Sequence, residues 1–165
     1  MISQKGLDFI KKEEGFAAKA YPDNTRVSIG YGCTFYENGT PVKLGETITK
    51  AKAETLLKYH ADLNERYLNS YVSVPLNQSQ RDALISLIYN IGPGNFSKKW
   101  RYVMDAVRTN PNNFTAVRAA FLKVPHLPER RKREADFYAS NAGGSVATTP
   151  LIVTLLMLLL GYFFL

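Results

Sequence analysis

One cysteine, Cys33, and two histidines, His60 and His126, are all that this 165-residue chain holds of the side chains that build disulfides and zinc centres. A lone thiol excludes an intrachain disulfide, and nothing points to an oxidising compartment. Two histidines far apart in sequence give no zinc-type cluster, so neither a metal nor another cofactor is expected. Nor is a leader expected at the N-terminus, because "MISQKGLDFIKKEE" is amphipathic and charged where a signal peptide has a continuous apolar core. No internal repeat is visible. Acidic residues are in the minority, 14 Asp and Glu against 21 Lys and Arg, a net charge of +7. That excess suits a polyanionic partner such as nucleic acid, an anionic membrane surface or an anionic wall polymer. No nucleic-acid-binding motif accompanies the charge, so nucleic acid is not expected as a partner.

What is present suffices for a folded core. Hydrophobic residues make up 45% of the chain and aromatics 12%, which excludes a disordered composition. The length fits one domain, expected as a monomer. Ser3 is a good N-cap for a helix reaching Glu14, and Gly15 can end it. "RVSIGYG" alternates Val27, Ile29 and Tyr31 with Ser28, Gly30 and Gly32, a strand pattern. Asn38-Gly39 is a strong hairpin signal, and residues 21–45 read as a small β-hairpin lobe. Thr49 can cap a long helix with Leu56, Leu57, Leu63 and Leu68 as its apolar positions. In the next helix Asn77 and Gln80 have capping-box spacing, and Gly92-Pro93 stops it. Ala83 to Ile91 is apolar on nearly every face, which implies a buried central helix. Shorter helices are expected near 97–108 and 113–123, then a loop at "VPHLPE" and a last helix opened by Pro128. The predicted class is α+β: a small β-hairpin lobe and a larger helical lobe with a cleft between them, a common place for a ligand.

Within "EEGFAAKAYPDNTRVSIGYG" two carboxylates stand out. Glu14 continues the face of Leu7 and Ile10, and a carboxyl on an apolar face loses hydration, which favours its protonated form. Asp23 sits in a polar turn where hydration and backbone N–H groups keep it ionised. Such a contrast suits glycosidic bond cleavage, in which one group protonates the leaving oxygen and the other activates water or stabilises positive charge on the sugar. Ser28 could orient that water. The plainer alternatives stay open: a helix-end Glu is often solvated or salt-bridged, and an Asp in "PDN" is often a turn former.

The stretch "EEGFAAKAYPDNTRVSIGYGCT" resembles the active-site signature of the phage-type lysozymes, glycoside hydrolase family 24. "ITKAKAETLL", "VPLNQSQRDALISLIYNIGPGNF" and "PERRKREADFY" resemble the same family in order and spacing, so the similarity spans about residues 3 to 139. The resemblance implies a mostly helical fold with a small β-lobe beside the cleft. It implies a muramidase that hydrolyses the β-1,4 bond between N-acetylmuramic acid and N-acetylglucosamine in bacterial peptidoglycan, with inversion at the anomeric centre. On the family pattern Glu14 is the general acid, Asp23 the second carboxylate and Ser28 the hydroxyl residue, a threonine in most members. Thr34, Tyr89 and Asn90 match positions that line the sugar cleft, although Tyr89 also reads as core and Asn90 as a helix C-cap. The chain departs from the family in a segment from Asp23 to Ser28 one residue shorter than usual, and in Cys33 where a histidine is common. Cys33 reads as a buried free cysteine, not a nucleophile.

Two features remain. Arg130, Arg131, Lys132 and Arg133 form the densest basic run, read as a solvated helix face in which Glu134 can pair along the helix. After Asp136 no charged side chain follows, and the chain closes on "VATTPLIVTLLMLLLGYFFL". From Val146 these are 20 residues, which as a helix would span about 30 Å, a bilayer core, whereas from Pro150 they are 16, a marginal length. The expected division is a catalytic domain at 1–140, a linker at 141–149 and a transmembrane tail segment at 150–165, with two other readings of the tail left open: a weak anchor that later releases, and a fusion or read-through extension with little function. The basic run before the tail predicts a catalytic lobe that starts on the cytoplasmic side of the host's inner membrane, reaching the periplasmic wall at lysis with a holin's help. An endolysin is the leading reading. The alternative is a catalytically weak, membrane-anchored wall-binding protein on the same scaffold.

Overall fold

The computed structural model describes residues 1–141. The linker and tail expected at 141–149 and 150–165 fall, but for residue 141, outside the described residues. Among the described residues no helix is long and apolar enough to cross a membrane.

Helix α1 (Gln4–Glu14) starts where the Ser3 side chain accepts from the backbone N–H of Gly6, and it ends at Gly15, whose φ of 70° favours glycine. Gly6 is buried, and a Cβ there would come within 2.7 Å of the Asp82 carboxyl carbon, so its bareness lets α1 close on the central helix. Strands β1 (Ala17–Asp23) and β2 (Arg26–Gly30) pair antiparallel, with Tyr21 opposite Ser28 and Asp23 opposite Arg26. The turn between them uses Asn24 at φ 52°, a conformation Asn tolerates.

The principal hairpin is therefore at Asn24-Thr25 and not at Asn38-Gly39. The latter does form a turn, closed by Tyr36 N–H to Thr40 O at 2.9 Å, but its ladder is a single bridge between Phe35 and Pro41. It cannot lengthen because both backbone groups of Cys33 are committed to Ile29, at 2.9 and 3.0 Å. β2 is also buried more widely than its alternation suggests: Ser28, Ile29 and Gly30 are all buried. A Cβ on Gly30 would come within 2.9 Å of Ala53, so β2 lies directly on the next helix.

Helix α2 (Lys50–Tyr71) is capped by Thr49, and Leu56, Leu57 and Leu68 are buried along it. Helix α3 (Gln78–Ile91) opens with a complete Asn77–Gln80 capping box. Ala83, Leu84, Ile85, Leu87 and Ile88 are all fully buried, since α1, α2 and the last helix surround α3. Burying an aliphatic side chain of this size contributes about 1.5–3 kcal/mol, so this helix anchors the core. The expected helix at 97–108 is split. A π-helical turn (Asn95–Lys99) precedes α4 (Arg101–Thr109), because the Asn95 side chain donates to Ile91 O at 2.7 Å and Trp100 N–H reaches Asn95 O at 2.8 Å. Helix α5 (Phe114–Leu122) and helix α6 (Pro128–Ala139) follow, the latter with Pro at its first turn.

The basic run corrects the sequence reading. Arg130 and Arg131 are buried, and only Lys132 and Arg133 lie on the open side of α6. Helix α6 packs between α3 and α5, which leaves two of four consecutive residues facing inward. Buried guanidinium groups require partners. Glu134 supplies one for each, at 3.0 Å to Arg130 Nε and 3.0 Å to Arg131 Nε.

Candidate active site

A cleft of about 870 Å³ runs between the hairpin lobe and the helices. The tip of the β1–β2 hairpin, Asp23 to Arg26, forms one wall. Gly32, Thr34 and Phe35 form the floor, and His60 on α2, Tyr89 and Asn90 on α3, and Asn95 with Lys98 on the π-helical turn complete it.

Glu14 closes α1 at the edge of this space. Its Oε1 accepts a hydrogen bond from Arg130 Nη1 at 2.7 Å, and the two side chains are 18% and 4% exposed. The purely apolar setting expected for Glu14 is thus incorrect: α1 ends against α6, and the inward face of α6 carries a guanidinium. Oε2 is left on the other side. It lies 3.3 Å from the position a Cβ would take on Gly32, whose φ of +80° and missing side chain keep that space open beside the cleft.

Behind Glu14 runs a chain of charges. Arg130 pairs with Glu134, Ser86 Oγ donates to Glu134 Oε1 at 2.8 Å, and Arg131 Nη2 donates to Asn90 Oδ1 at 3.0 Å. Burial works to lower the Arg130 pKa, but the charges of Glu14 and Glu134 outweigh it and push it up. Burial pushes the Glu134 carboxyl up against the opposing pull of Arg131 and Arg130. Next to this chain Arg133 grips Glu13 with two hydrogen bonds, at 2.6 and 2.8 Å, fastening the end of α1 to α6. That bond from Arg133 holds the Glu13 carboxyl below its ordinary value, despite burial.

Asp23 sits at the end of β1. Its Oδ2 accepts from Ser28 Oγ at 2.9 Å and its Oδ1 from Asn24 Nδ2 at 3.2 Å. The shortened Asp23–Ser28 segment therefore still joins the two side chains, through the tight two-residue turn. Ser28 is fully buried and reaches the cleft only through Asp23. Tyr21 is opposite Ser28 in the register, and its phenol is pushed up first by burial and then by the charges of Asp23 and Glu14.

Thr34, Tyr89 and Asn90 all line the cleft. Tyr89 also clamps the floor: its hydroxyl donates to Tyr31 O at 2.7 Å, and burial pushes the phenol well above its ordinary value. Asn90 is not the helix C-cap, which is Gly92; it is the acceptor for Arg131. Cys33 is buried with Sγ 3.3 Å from the Tyr89 hydroxyl, and burial pushes the thiol up to about 11. Such a thiol is protonated at neutral pH and a poor nucleophile. Among the described residues no group of three or more His, Cys, Asp or Glu could hold a metal ion.

Sequence reasoning missed Arg130, Arg131, Gly32 and His60 as parts of this region. The spacing of Arg130 and Arg131 to Glu134 was visible along one helix. Their link to Glu14 was not, since it joins residues 116 positions apart.

A family model described as Phage lysozyme matches residues 11–134. The endolysin of Salmonella phage P22 is 40% identical over 145 residues, covering 82% of this chain and 97% of the relative. Among solved structures, the endolysin from Escherichia coli O157:H7 phage FAHEc1 superposes with a TM-score of 0.74 at 31% identity, covering 84% of this chain and 92% of that one. The muramidase domain of SpmX from Asticaccaulis excentricus superposes at 0.70 with 26% identity, covering 84% and 97%.

Proposed function

The chain belongs to the phage lysozyme family, and we propose that this lysozyme-type endolysin hydrolyses the β-1,4 bond between N-acetylmuramic acid and N-acetylglucosamine in peptidoglycan and so lyses the bacterial host. The observation that carries this reading is the division of labour at Glu14. Arg130 anchors Oε1, while Oε2 is kept clear by Gly32 at the cleft. Oε2 is then the oxygen that delivers a proton to the glycosidic oxygen of a strand lying over Gly32 and Thr34.

Asp23, with Ser28 and Asn24 fixing its two oxygens, holds water on the opposite face of the sugar or stabilises positive charge at the anomeric carbon. An inverting reaction follows if a water molecule occupies the space between the two carboxyls. The SpmX likeness supports this choice of bond, since that domain is named a muramidase.

The reading extends to location. Residues 1–140 form the catalytic unit, 141–149 a linker, and 150–165 a segment that tethers the enzyme to the inner membrane until a holin gives it access to the wall. Carbonate-resistant membrane association of the full chain supports the tether, and a fully soluble full-length protein removes it.

Clearing of permeabilised Gram-negative cells tests the activity, with Glu14→Gln beside the parent. A Glu14→Gln protein that clears as fast as the parent overturns the assignment of the acid. Product analysis on purified murein tests the bond: reducing-end muramic acid supports hydrolysis, an anhydro sugar indicates transglycosylation, and the anomer first released reports inversion.

A further inference from the structure

His60 projects from α2 into the wall of the cleft and takes no part in the chemistry described above. Its Nε2 lies 2.9 Å from the backbone oxygen of Phe35. A carbonyl oxygen only accepts, so Nε2 must carry a hydrogen. In the neutral ring the lone pair is then on Nδ1, and Nδ1 bonds to nothing among the described residues. Three aromatic rings pack around it in this pose. Phe35 lies against it at 4.3 Å between centroids, Tyr59 meets it edge-on at 5.7 Å and Tyr89 at 6.4 Å. Phe35 and Tyr89 line the same cleft. A held acceptor between aromatic rings is the combination a sugar needs, with apolar faces for its C–H surface and a lone pair for its polar hydrogens.

We infer that His60 is a glycan-binding residue, its Nδ1 accepting a hydrogen bond from a donor of the N-acetylated glycan strand in a subsite walled by Phe35 and Tyr89. The inference rests on the muramidase reading of the cleft. The neutral ring is the competent form, and burial lowers the His60 pKa from its ordinary value against the hydrogen bond to Phe35 O and the charge of Glu37. Tyr59 on its own helix and Tyr89 on α3 also face the ring, and both are phenols. Protonation of Nδ1 removes the lone pair, so protons and the glycan compete for one atom. Glycan binding must therefore push the His60 titration to lower pH. A tenfold preference for the neutral ring moves it by about one pH unit.

The chain has only two histidines, and His126 packs on Trp100, which lies outside the cleft lining, so it serves as an internal reference. NMR titration of both rings is made in the full Glu14→Gln protein, with and without the soluble tetrasaccharide of two N-acetylglucosamine–N-acetylmuramic acid units, and repeated in Asp23→Asn. A fall in the His60 midpoint with His126 unmoved supports the inference. If cleft amides such as Thr34 and Asn95 shift with the sugar but the His60 midpoint stays or rises, the inference is overturned while the muramidase reading stands. If the tetrasaccharide does not bind either protein, the muramidase reading falls and takes this inference with it. His60→Phe adds a kinetic arm: it keeps a ring and loses the acceptor. KM on purified murein rising about tenfold with kcat nearly unchanged supports binding by Nδ1. An unchanged KM overturns it.

Discussion

Arg130 Nη1 and Glu14 Oε1 are 2.7 Å apart, and this ion pair ties the last turn of α1 to the first turns of α6 at the edge of the cleft. Arg130 is almost fully buried, and its other partner, Glu134, is completely so. The pair therefore couples the position of one cleft carboxylate to the packing of the helical lobe. A surface ion pair would contribute little to either.

Replacing Arg130 by Ala strips one partner from both Glu14 and Glu134. Breaking a buried pair from one side costs about 3–5 kcal/mol. Urea unfolding should show a loss of this order, and clearing activity should fall as Oε1 loses its anchor. Arg130→Lys keeps the charge but not the two-pronged geometry and should recover only part of either. A stability change below about 1 kcal/mol for Arg130→Ala would contradict the buried pair.

Gly32 and Gly39 separate backbone strain from a demand of the site. Both have positive φ, +80° and +82°. A Cβ on Gly39 meets nothing within 4 Å, whereas one on Gly32 meets Glu14 Oε2 at 3.3 Å. Ala at either position should cost about 1 kcal/mol for the left-handed backbone. Only Gly32→Ala should lower kcat. Equal activities for the two variants, measured on the same murein, would show that the space beside Oε2 is not needed.

Ser28→Ala removes the hydroxyl that donates to Asp23 Oδ2 at 2.9 Å. A lost hydrogen bond to a charged acceptor is worth about 1.5–3 kcal/mol. If that energy orients Asp23 for catalysis, kcat should drop about tenfold or more while KM changes little. Ser28→Thr keeps the hydroxyl but adds a methyl group at a fully buried position. It should retain more kcat than Ser28→Ala while losing some stability.

The Glu13–Arg133 contact predicts an acid limb in stability. The Arg133 hydrogen bond lowers the Glu13 pKa from 4.5. A folded-state value below the unfolded one adds stability that is present above about pH 4.5 and is lost as pH falls through the folded value. The urea midpoint should therefore fall on acidification below about pH 4.5. In Glu13→Gln that fall should be shallower, because the neutral amide binds no proton in either state. Arg133 is 48% exposed, so a double-mutant cycle should give a coupling of about 1 kcal/mol or less.

Much of the scaffold was legible because its signals are local. Ser3, Thr49 and the Asn77–Gln80 box cap helices within three residues of themselves, and Gly15 and Gly92 end them. The all-round apolar stretch of α3 announced a helix surrounded by others. The hairpin was misplaced because Asn38-Gly39 is a good turn in isolation. What limits its ladder is the use of the Cys33 backbone by Ile29, a choice made between segments.

The amino-acid order alone therefore determined most of the helices, their caps, the central α3 and the family the chain resembles, and it singled out Glu14 and Asp23 as candidate carboxylates. Folding in three dimensions decided which charges were buried and what they touch. Arg130 and Arg131 could be read as solvated until α6 was packed between α3 and α5, and Glu14 could be read as sitting on an apolar face until Arg130 met it. The physical reason is range. Capping and periodicity act over about one helical turn, whereas the cost of burying a charge depends on whichever distant side chain packing brings within hydrogen-bond reach.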